Sequence, residues 1–208
     1  MTSKRLLKDG DKIVFLGDSI TEAADGYVHI FERMISALAP DIRVTCINAG
    51  IGGNRVTDAL ARIGDDVIAH DPDWITISIG INDVWHGVNG TPIDLFRERY
   101  DELVSRLTEQ TVAKLALFTT TVIGEELNNE PNNKLIPYND FIRETAKKQK
   151  ALLVPMNEEF YKAISAWHKV SGDVKYTTEL KYTTDGVHMT PEGNYLMAVT
   201  LLRAWEIL

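Results

Sequence analysis

The sequence is poor in the features that mark secreted, membrane-spanning and nucleic-acid-binding proteins. It has one cysteine, which excludes the disulfide framework of a small secreted domain. Its longest apolar run, Trp74–Ile81, is far too short to cross a bilayer, and the basic N-terminus lacks the apolar stretch of a secretory signal. Positive charge is also scarce, and a net charge of −8 disfavours nucleic acid and anionic membranes as partners. We therefore expect a cytoplasmic protein.

The chain also lacks internal repeats, low-complexity tracts and any Pro- or Gly-rich linker that would divide it. Its 208 residues are within reach of one hydrophobic core, so we expect a single domain over residues 1–208. What is present is an ordinary globular composition, 44% hydrophobic and 25% charged.

Short aliphatic runs alternate with helical patterns along the chain. The runs predict five buried strands: Lys12–Leu16, Ile42–Asn48, Trp74–Ile79, Lys114–Thr120 and Ala151–Pro155. Apolar residues at helical spacing predict the helices Tyr27–Leu38, Pro92–Leu107, Tyr138–Lys150 and Pro191–Ile207. This alternation predicts an α/β fold, a three-layer α/β/α sandwich around a parallel sheet, with the carboxyl ends of the strands at one edge.

Helix caps and loops complete this outline. Asp94, Asn139 and Thr190 lie at or near expected helix starts, where side-chain oxygens accept hydrogen bonds from free N–H groups. The polar segments Gly124–Asn133 and Ser171–Thr184 are predicted to be loops. Loops near a site usually set its choice of substrate.

Polar motifs follow the first three predicted strands. Gly17-Asp18-Ser19 ends the first, so Ser19 lies where a helix begins and where backbone N–H groups favour negative charge. The glycine-rich segment after the second contains Gly53, whose N–H can be offered to an oxyanion; its spacing does not fit the dinucleotide fingerprint. Asn82, in Gly80–Asp83 after the third, supplies a neutral amide donor. Taken singly, each motif is explained as well or better by a helix cap or a turn.

A fourth motif, Asp185-Gly186-Val187-His188, lies just before the last predicted helix. Histidine is the general base suited to neutral pH, and a nearby carboxylate can orient its ring. With Ser19 as nucleophile and Gly53 and Asn82 as oxyanion donors, the set supplies the parts that acyl transfer requires. The competing interpretation is a metal site, built from the residues Asp18, Asp83, His86, Asp185 and His188. A metal site leaves Gly53 and Asn82 without a role.

In this order, the four motifs resemble the four sequence blocks of the SGNH hydrolases, also called GDSL esterases and lipases. The resemblance runs from Lys12 to the C-terminus. It implies that Ser19 is the nucleophile, His188 the base and Asp185 its orienting carboxylate. It further implies an oxyanion hole formed by the N–H groups of Ser19 and Gly53 and the Asn82 amide. The implied fold is a flavodoxin-like, five-stranded parallel sheet of order 2-1-3-4-5.

A narrower likeness is to intracellular GDSL-type acetylxylan esterases, carried by Gly17–Thr21, Asp66–Ala69, Pro72–Trp74 and Gly80–Trp85. It implies a serine esterase without cofactor or metal, acting on a small-molecule ester such as an acetylated sugar. The alternatives are a lysophospholipase or thioesterase for longer acyl chains, and a non-catalytic sugar-binding module. Assembly into a homo-oligomer is left open.

Three residues near the motifs are candidates for binding substrate: Trp85, Asn54 and Asp18. Trp85 is expected either to stack on a sugar ring or wall an acyl pocket, or to pack in the core. Asn54 is a candidate for lining the cleft. Asp18 and Asp83 are also expected to brace their turns by accepting backbone hydrogen bonds.

Overall fold

A parallel β-sheet forms the centre of the molecule. The computed structural model describes residues 5–171 and 180–208. Its strands are β1 (Lys12–Gly17), β2 (Thr45–Gly50), β3 (Trp74–Ser78), β4 (Lys114–Phe118) and β5 (Leu152–Val154). They pair in parallel in the order β2-β1-β3-β4-β5. The predicted fold class and the strand order implied by the resemblance are therefore confirmed.

Helices cover both faces of this sheet. They are α1 (Ser19–Glu22), α2 (Tyr27–Leu38), α3 (Val56–Asp66), α4 (Ile81–Trp85), α5 (Ile93–Gln110), α6 (Glu130–Gln149), α7 (Met156–Ser171) and α8 (Pro191–Ala204). Within the described ranges, none of them combines the length and the apolar character that crossing a bilayer requires.

The central strand β1 is buried on both faces because its side chains alternate between two hydrophobic clusters. Ile13 and Phe15 belong to the first cluster, which α2, α7 and α8 cover. Val14 and Leu16 belong to the second cluster, under α3, α5 and α6. A strand that is packed on both faces lacks polar alternation, and this explains why its sequence is a continuous apolar run.

Most predicted elements exist, with shifted ends. Helix α2 has the predicted bounds, whereas α5 runs on to Gln110 and β2 begins at Thr45 instead of Ile42. Helices α3 and α7 were not among the predicted helices. Of the predicted loop Ser171–Thr184, residues 172–179 lie outside the described residues.

Helix α6 differs most from the sequence prediction. Asn129 caps it, so the helix begins at Glu130, and the predicted loop Gly124–Asn133 is shorter than expected. The predicted start at Tyr138 is wrong because Pro137 lies inside the helix, not at its first turn. Proline usually interrupts a helix, so the pattern before it does not stand out as helical.

The expected helix caps have different outcomes. Thr190 is confirmed, since its side chain accepts a hydrogen bond from the Gly193 N–H at the start of α8. Asp94 lies in the first turn of α5. The prediction for Asn139 is wrong: it lies inside α6, and its Oδ1 accepts hydrogen bonds from the N–H and the hydroxyl of Thr120. Asn139 thus ties α6 to the end of β4.

The carboxyl ends of the three strands that precede the motifs lie side by side. Gly17, the last residue of β1, pairs with Gly50 of β2 and with Ser78 of β3. The segments that follow these strands therefore start at one edge of the sheet, where ligands of open α/β sheets bind.

Candidate active site

Ser19 begins α1 directly after β1. Asp18 caps this short helix, since its Oδ1 accepts a hydrogen bond from the Ile20 N–H at 3.0 Å. Ser19 is thereby held at a helix start, where backbone N–H groups lack intrahelical partners. The Asp18 side chain is 1% exposed, and burial raises its pKa to about 7. The observed role of the Asp18 carboxyl is therefore to cap α1, and its role in binding substrate stays a prediction.

A line of hydrogen bonds joins Ser19 to the loop before α8. The Ser19 Oγ lies 2.9 Å from the His188 Nε2, and the His188 Nδ1 lies 2.7 Å from Asp185 Oδ2. Asp185 Oδ1 accepts hydrogen bonds from the backbone N–H groups of Val187, at 2.9 Å, and His188, at 2.8 Å. The structure thus brings together the three side chains that the sequence suggested as nucleophile, base and orienting carboxylate.

The environment of Asp185 favours its ionised form. Burial alone raises the pKa of this carboxyl, but the hydrogen bonds from the His188 ring and from the two backbone N–H groups outweigh burial and lower the pKa to about 2. About half of each side chain is exposed, 51% for Asp185 and 49% for His188, so the ring is open to a substrate. A carboxylate on Nδ1 leaves Nε2 of the ring to accept a proton from Ser19.

Two further donors lie at the same edge. Gly53, in the loop after β2, has a φ of +75°, which favours glycine. No hydrogen bond between described residues uses its N–H. Asn82, on α4, is 3% exposed and donates one amide hydrogen to the Asn54 carbonyl oxygen at 3.1 Å. Because Asn54 follows Gly53 in the chain, this bond places the Asn82 amide beside the Gly53 segment.

The loop that carries Gly53 packs closely on the helix that carries Ser19. A Cβ atom at Gly50 would lie 2.2 Å from the backbone nitrogen of Glu22 on α1. Only glycine allows this approach, so the second motif needs glycine at position 50 for packing. The packing keeps the nucleophile and the Gly53 loop in fixed relation.

Arg62 on α3 links the same two motifs and was missed by the sequence analysis. Its guanidinium donates to the Gly17 carbonyl oxygen at 2.9 Å and to Asn54 Oδ1 at 2.7 Å. A third hydrogen bond, at 2.8 Å, goes to Asp66. The Asn54 side chain, which was expected to line the cleft, is therefore engaged by Arg62.

Asp83 supports the start of α3. Both of its carboxyl oxygens lie 3.2 Å from the Val56 nitrogen, and burial raises its pKa to about 6. The sequence predicts that Asp83 accepts backbone hydrogen bonds to brace its turn. In the structure its carboxyl also accepts a hydrogen bond from Val56, and so ties its own segment to the neighbouring helix.

Open surface lies on two sides of these residues. The Trp85 side chain is 46% exposed at the end of α4, the helix that carries Asn82, so it is available to a ligand. A groove of about 710 Å³ runs between α2 and α8, and Ala23 and Met189 are part of its lining. These residues follow α1 and His188 in the chain, so the groove adjoins the site without including Ser19.

The acidic and histidine side chains of the motifs are not arranged as metal ligands. Across residues 5–171 and 180–208, no three side chains of His, Cys, Asp or Glu form a group that would hold a metal ion. Asp18 and Asp83 bind backbone N–H groups instead, and Asp185 binds His188. The arrangement is suited to a nucleophile activated by a base.

Comparison with known proteins identifies related sequences over most of the chain. The model of the GDSL-like Lipase/Acylhydrolase family matches residues 15–196. An acetylxylan esterase of Geobacillus stearothermophilus is 29% identical over 195 residues, which cover 79% of this chain and 88% of that protein.

Solved structures share the fold over nearly the whole length. An alpha/beta hydrolase enzyme from the metagenome of Lake Arreo, Spain, is 26% identical, with a TM-score of 0.86 over 97% of this chain and 98% of that one. The crystal structure of the Geobacillus stearothermophilus acetylxylan esterase is 25% identical, with a TM-score of 0.83 over 96% and 95% of the two chains. Catalytic mutants of that esterase replace a serine, an aspartate or a histidine by alanine.

Proposed function

The chain belongs to the GDSL-like lipase/acylhydrolase family and is a carboxylic ester hydrolase, and on that premise we propose that it cleaves short-chain esters through an acyl-enzyme on Ser19. The observation that carries the proposal is the continuous line from Ser19 Oγ to His188 and on to Asp185, with distances of 2.9 and 2.7 Å. Catalytic mutants of the acetylxylan esterase replace the same three residue types.

In the proposed reaction, Ser19 Oγ attacks the ester carbonyl carbon while His188 Nε2 takes the hydroxyl proton. The carbonyl oxygen becomes an oxyanion, which accepts hydrogen bonds from the N–H groups of Ser19 and Gly53 and from the Asn82 amide. The intermediate then collapses: the alcohol leaves with the proton from His188, and the acyl group stays on Ser19. A water molecule, deprotonated by His188, releases the carboxylic acid and restores the hydroxyl.

We propose acetylated sugars as the substrates of this site. Support comes from the acetylxylan esterase that matches most of the chain. Trp85 is half-exposed on the helix that carries Asn82, and an indole ring at such a position can stack on a sugar ring. The acidic net charge of −8 is compatible with neutral carbohydrate esters.

The groove between α2 and α8 favours a second candidate, hydrolysis of longer acyl esters such as lysophospholipids or thioesters. Its lining includes the apolar side chains of Ile30, Met34 and Met189. An extended acyl chain would bury its methylene groups against these side chains.

The serine mechanism is tested with the variant Ser19→Ala. We expect kcat for p-nitrophenyl acetate to fall by about 10⁴-fold or more, because serine hydrolases that lose their nucleophile retain little activity. Ser36→Ala, an exposed serine on α2, is the matched control and should keep wild-type kcat. A fluorophosphonate probe should label the wild type and Ser36→Ala but not Ser19→Ala. Activity that survives Ser19→Ala would contradict the mechanism.

The substrate is tested by comparing kcat/KM across esters. Acetylated xylo-oligosaccharides and p-nitrophenyl acetate, butyrate and octanoate are compared with the wild-type enzyme. A preference for acetyl esters, with the sugar esters best, supports the carbohydrate assignment. A preference for octanoate would instead support the longer acyl chains.

A further inference from the structure

Glu125 is a buried carboxylate that belongs to none of the sequence motifs. It lies between β4 and α6 and is 6% exposed. Its Oε1 accepts hydrogen bonds from the N–H groups of Tyr182, at 2.6 Å, and Thr183, at 2.8 Å, and from the Thr183 hydroxyl at 3.1 Å. Its Oε2 accepts a hydrogen bond from the Lys181 N–H at 2.9 Å. One carboxylate thus accepts hydrogen bonds from three consecutive residues, 181–183, which are distant in sequence.

Residues 181–183 form an anion-binding concavity that Glu125 fills. Successive backbone N–H groups that converge on one point attract a negative charge. Without an acceptor the buried donors of Thr183 and the partly buried N–H groups of Lys181 and Tyr182 would be unpaired, which is costly enough to change the local backbone. The conformation of residues 181–183 therefore depends on the Glu125 carboxylate.

Residues 181–183 form the first part of the loop that carries Asp185 and His188. Thr190 closes the loop, since its N–H donates to the Tyr182 carbonyl oxygen at 3.0 Å and its hydroxyl donates to that of Lys181 at 2.8 Å. Inside the loop, the Thr184 N–H donates to the His188 carbonyl oxygen at 2.8 Å. The residues that Glu125 holds are therefore hydrogen-bonded to the part of the loop that follows His188.

Glu125 is itself held in place by its neighbours. Asn132 of α6 is 2% exposed, and its amide nitrogen donates to the carbonyl oxygens of Gly124, at 3.2 Å, and Glu126, at 3.1 Å. The Gly124 N–H donates to the Gly186 carbonyl oxygen at 2.7 Å, next to Asp185 in the chain. The backbone on both sides of Glu125 is thus bonded to α6, and its neighbour Gly124 is bonded to the loop that carries Asp185 and His188.

We propose that Glu125 is a positioning residue, whose carboxylate holds residues 181–183 and thereby sets the place of His188 relative to Ser19. The inference rests on the proposed function, because Glu125 acts through the Asp185–His188 pair. Glu125 takes no proton in the reaction and touches no reacting atom.

The test compares Glu125→Gln and Glu125→Ala with the wild type. Glu125→Ala should lower kcat for p-nitrophenyl acetate by about 10²-fold with little change in KM, since misplacing a catalytic group by about 1 Å has effects of that size. Glu125→Gln should fall between the two. Its amide oxygen can still accept from Tyr182 and Thr183, but its NH₂ group meets the Lys181 N–H as a second donor.

A spectroscopic measurement separates positioning from a loss of stability. The proton shared by His188 Nδ1 and Asp185 is expected to give a far-downfield ¹H resonance in the wild type. Glu125→Ala should shift or broaden that resonance. Glu192→Gln is the control. It removes the exposed negative charge on α8 that pairs with Lys181, and it should leave both the resonance and kcat unchanged. Leu107→Val, a change at a buried residue of α5 in the second hydrophobic cluster, provides a variant with lowered melting temperature but an intact loop.

The proposal is overturned if Glu125→Ala keeps the wild-type kcat and resonance. It is also overturned if Leu107→Val changes both by as much at an equal loss of melting temperature. The resonance reports the loop geometry even if Ser19→Ala remains active. Failure of the proposed serine mechanism and failure of the role of Glu125 are therefore distinguishable.

Discussion

Asp18 and Asp185 carry the same side chain within one site but ionise very differently. Burial raises the pKa of Asp18 to about 7. Asp185 is also partly buried, which raises its pKa, but the bonds to His188 and to backbone N–H groups lower it overall to about 2. Near neutral pH, Asp185 is therefore fully ionised beside His188, whereas Asp18, which precedes Ser19 in the chain, is only partly ionised. A sequence can suggest that an aspartate near a histidine orients it, but not how deeply another aspartate is buried.

The raised pKa of Asp18 predicts a stability effect that Asp18→Asn removes. The folded protein holds this proton up to about pH 7, whereas the unfolded chain releases it near the ordinary aspartate pKa of 3.8. Between these values the folded state binds more protons, so the free energy of unfolding falls as the pH rises. Relative to Asp18→Asn, we expect the wild type to lose about 1–3 kcal/mol between pH 5 and pH 8.

Urea unfolding at both pH values measures this difference. The asparagine keeps an oxygen for the Ile20 N–H and preserves the helix cap. Asp94→Asn, a change at an exposed aspartate, should show the same pH dependence as the wild type. Equal pH dependence of the wild type and Asp18→Asn would show that Asp18 does not titrate in this range.

Among the elements, α3 and the loop before it show where sequence patterns succeed and where they stop. The apolar spacing of the buried residues Val56, Ala59, Leu60 and Ile63 is helical and was available in the sequence. This helix was nevertheless not among the predicted helices. The hydrogen bonds of Arg62 to Gly17 and Asn54 leave no such signal, because they depend on how separate elements pack.

Gly50, at the end of β2, and Gly64, on α3, are predicted to respond oppositely to replacement by alanine. At Gly50 the new Cβ would meet the backbone of α1, so we expect a loss of about 3 kcal/mol in stability and a lower kcat as Ser19 shifts. At Gly64, on α3, a Cβ meets nothing within 4 Å, and its φ is not in the left-handed range. There alanine should raise stability by about 0.5–1 kcal/mol, with unchanged kcat. Urea unfolding and the p-nitrophenyl acetate assay measure both, and a stable, active Gly50→Ala would contradict the packing argument.

At the scale of the whole molecule, one sheet lies between two hydrophobic clusters and contributes side chains to both. Alternate residues of β1 enter opposite clusters, so both clusters depend on this one strand. Continuous apolar runs were enough to predict this layered sheet and the edge at which the motifs meet. The contacts of Glu125 with residues 181–183 span 56 to 58 positions and have no periodic signature, so the sequence did not suggest them.

The shared sheet predicts that the chain unfolds as one cooperative unit, as expected for a single domain. The rings of Trp74 and Trp205 lie 5.5 Å apart in the first cluster, so the fluorescence of these two buried tryptophans reports on that side of the sheet. Far-ultraviolet circular dichroism reports on the helices of both sides. We expect the two signals to give the same urea midpoint. Separate midpoints would divide the chain into independently folding parts.

The hydrogen bonds of Arg62 have a consequence for anyone who redesigns this enzyme. Loops at the sheet edge invite exchange, as a route to new substrates. The Asn54 loop, however, is hydrogen-bonded to Arg62 of α3, and the same guanidinium donates to the carbonyl oxygen of Gly17 at the end of β1. A transplanted loop without an acceptor for the Arg62 Nε–H would remove one of the three partners of this charged group, close to the nucleophile. The loop should therefore be exchanged together with α3, the helix that carries Arg62.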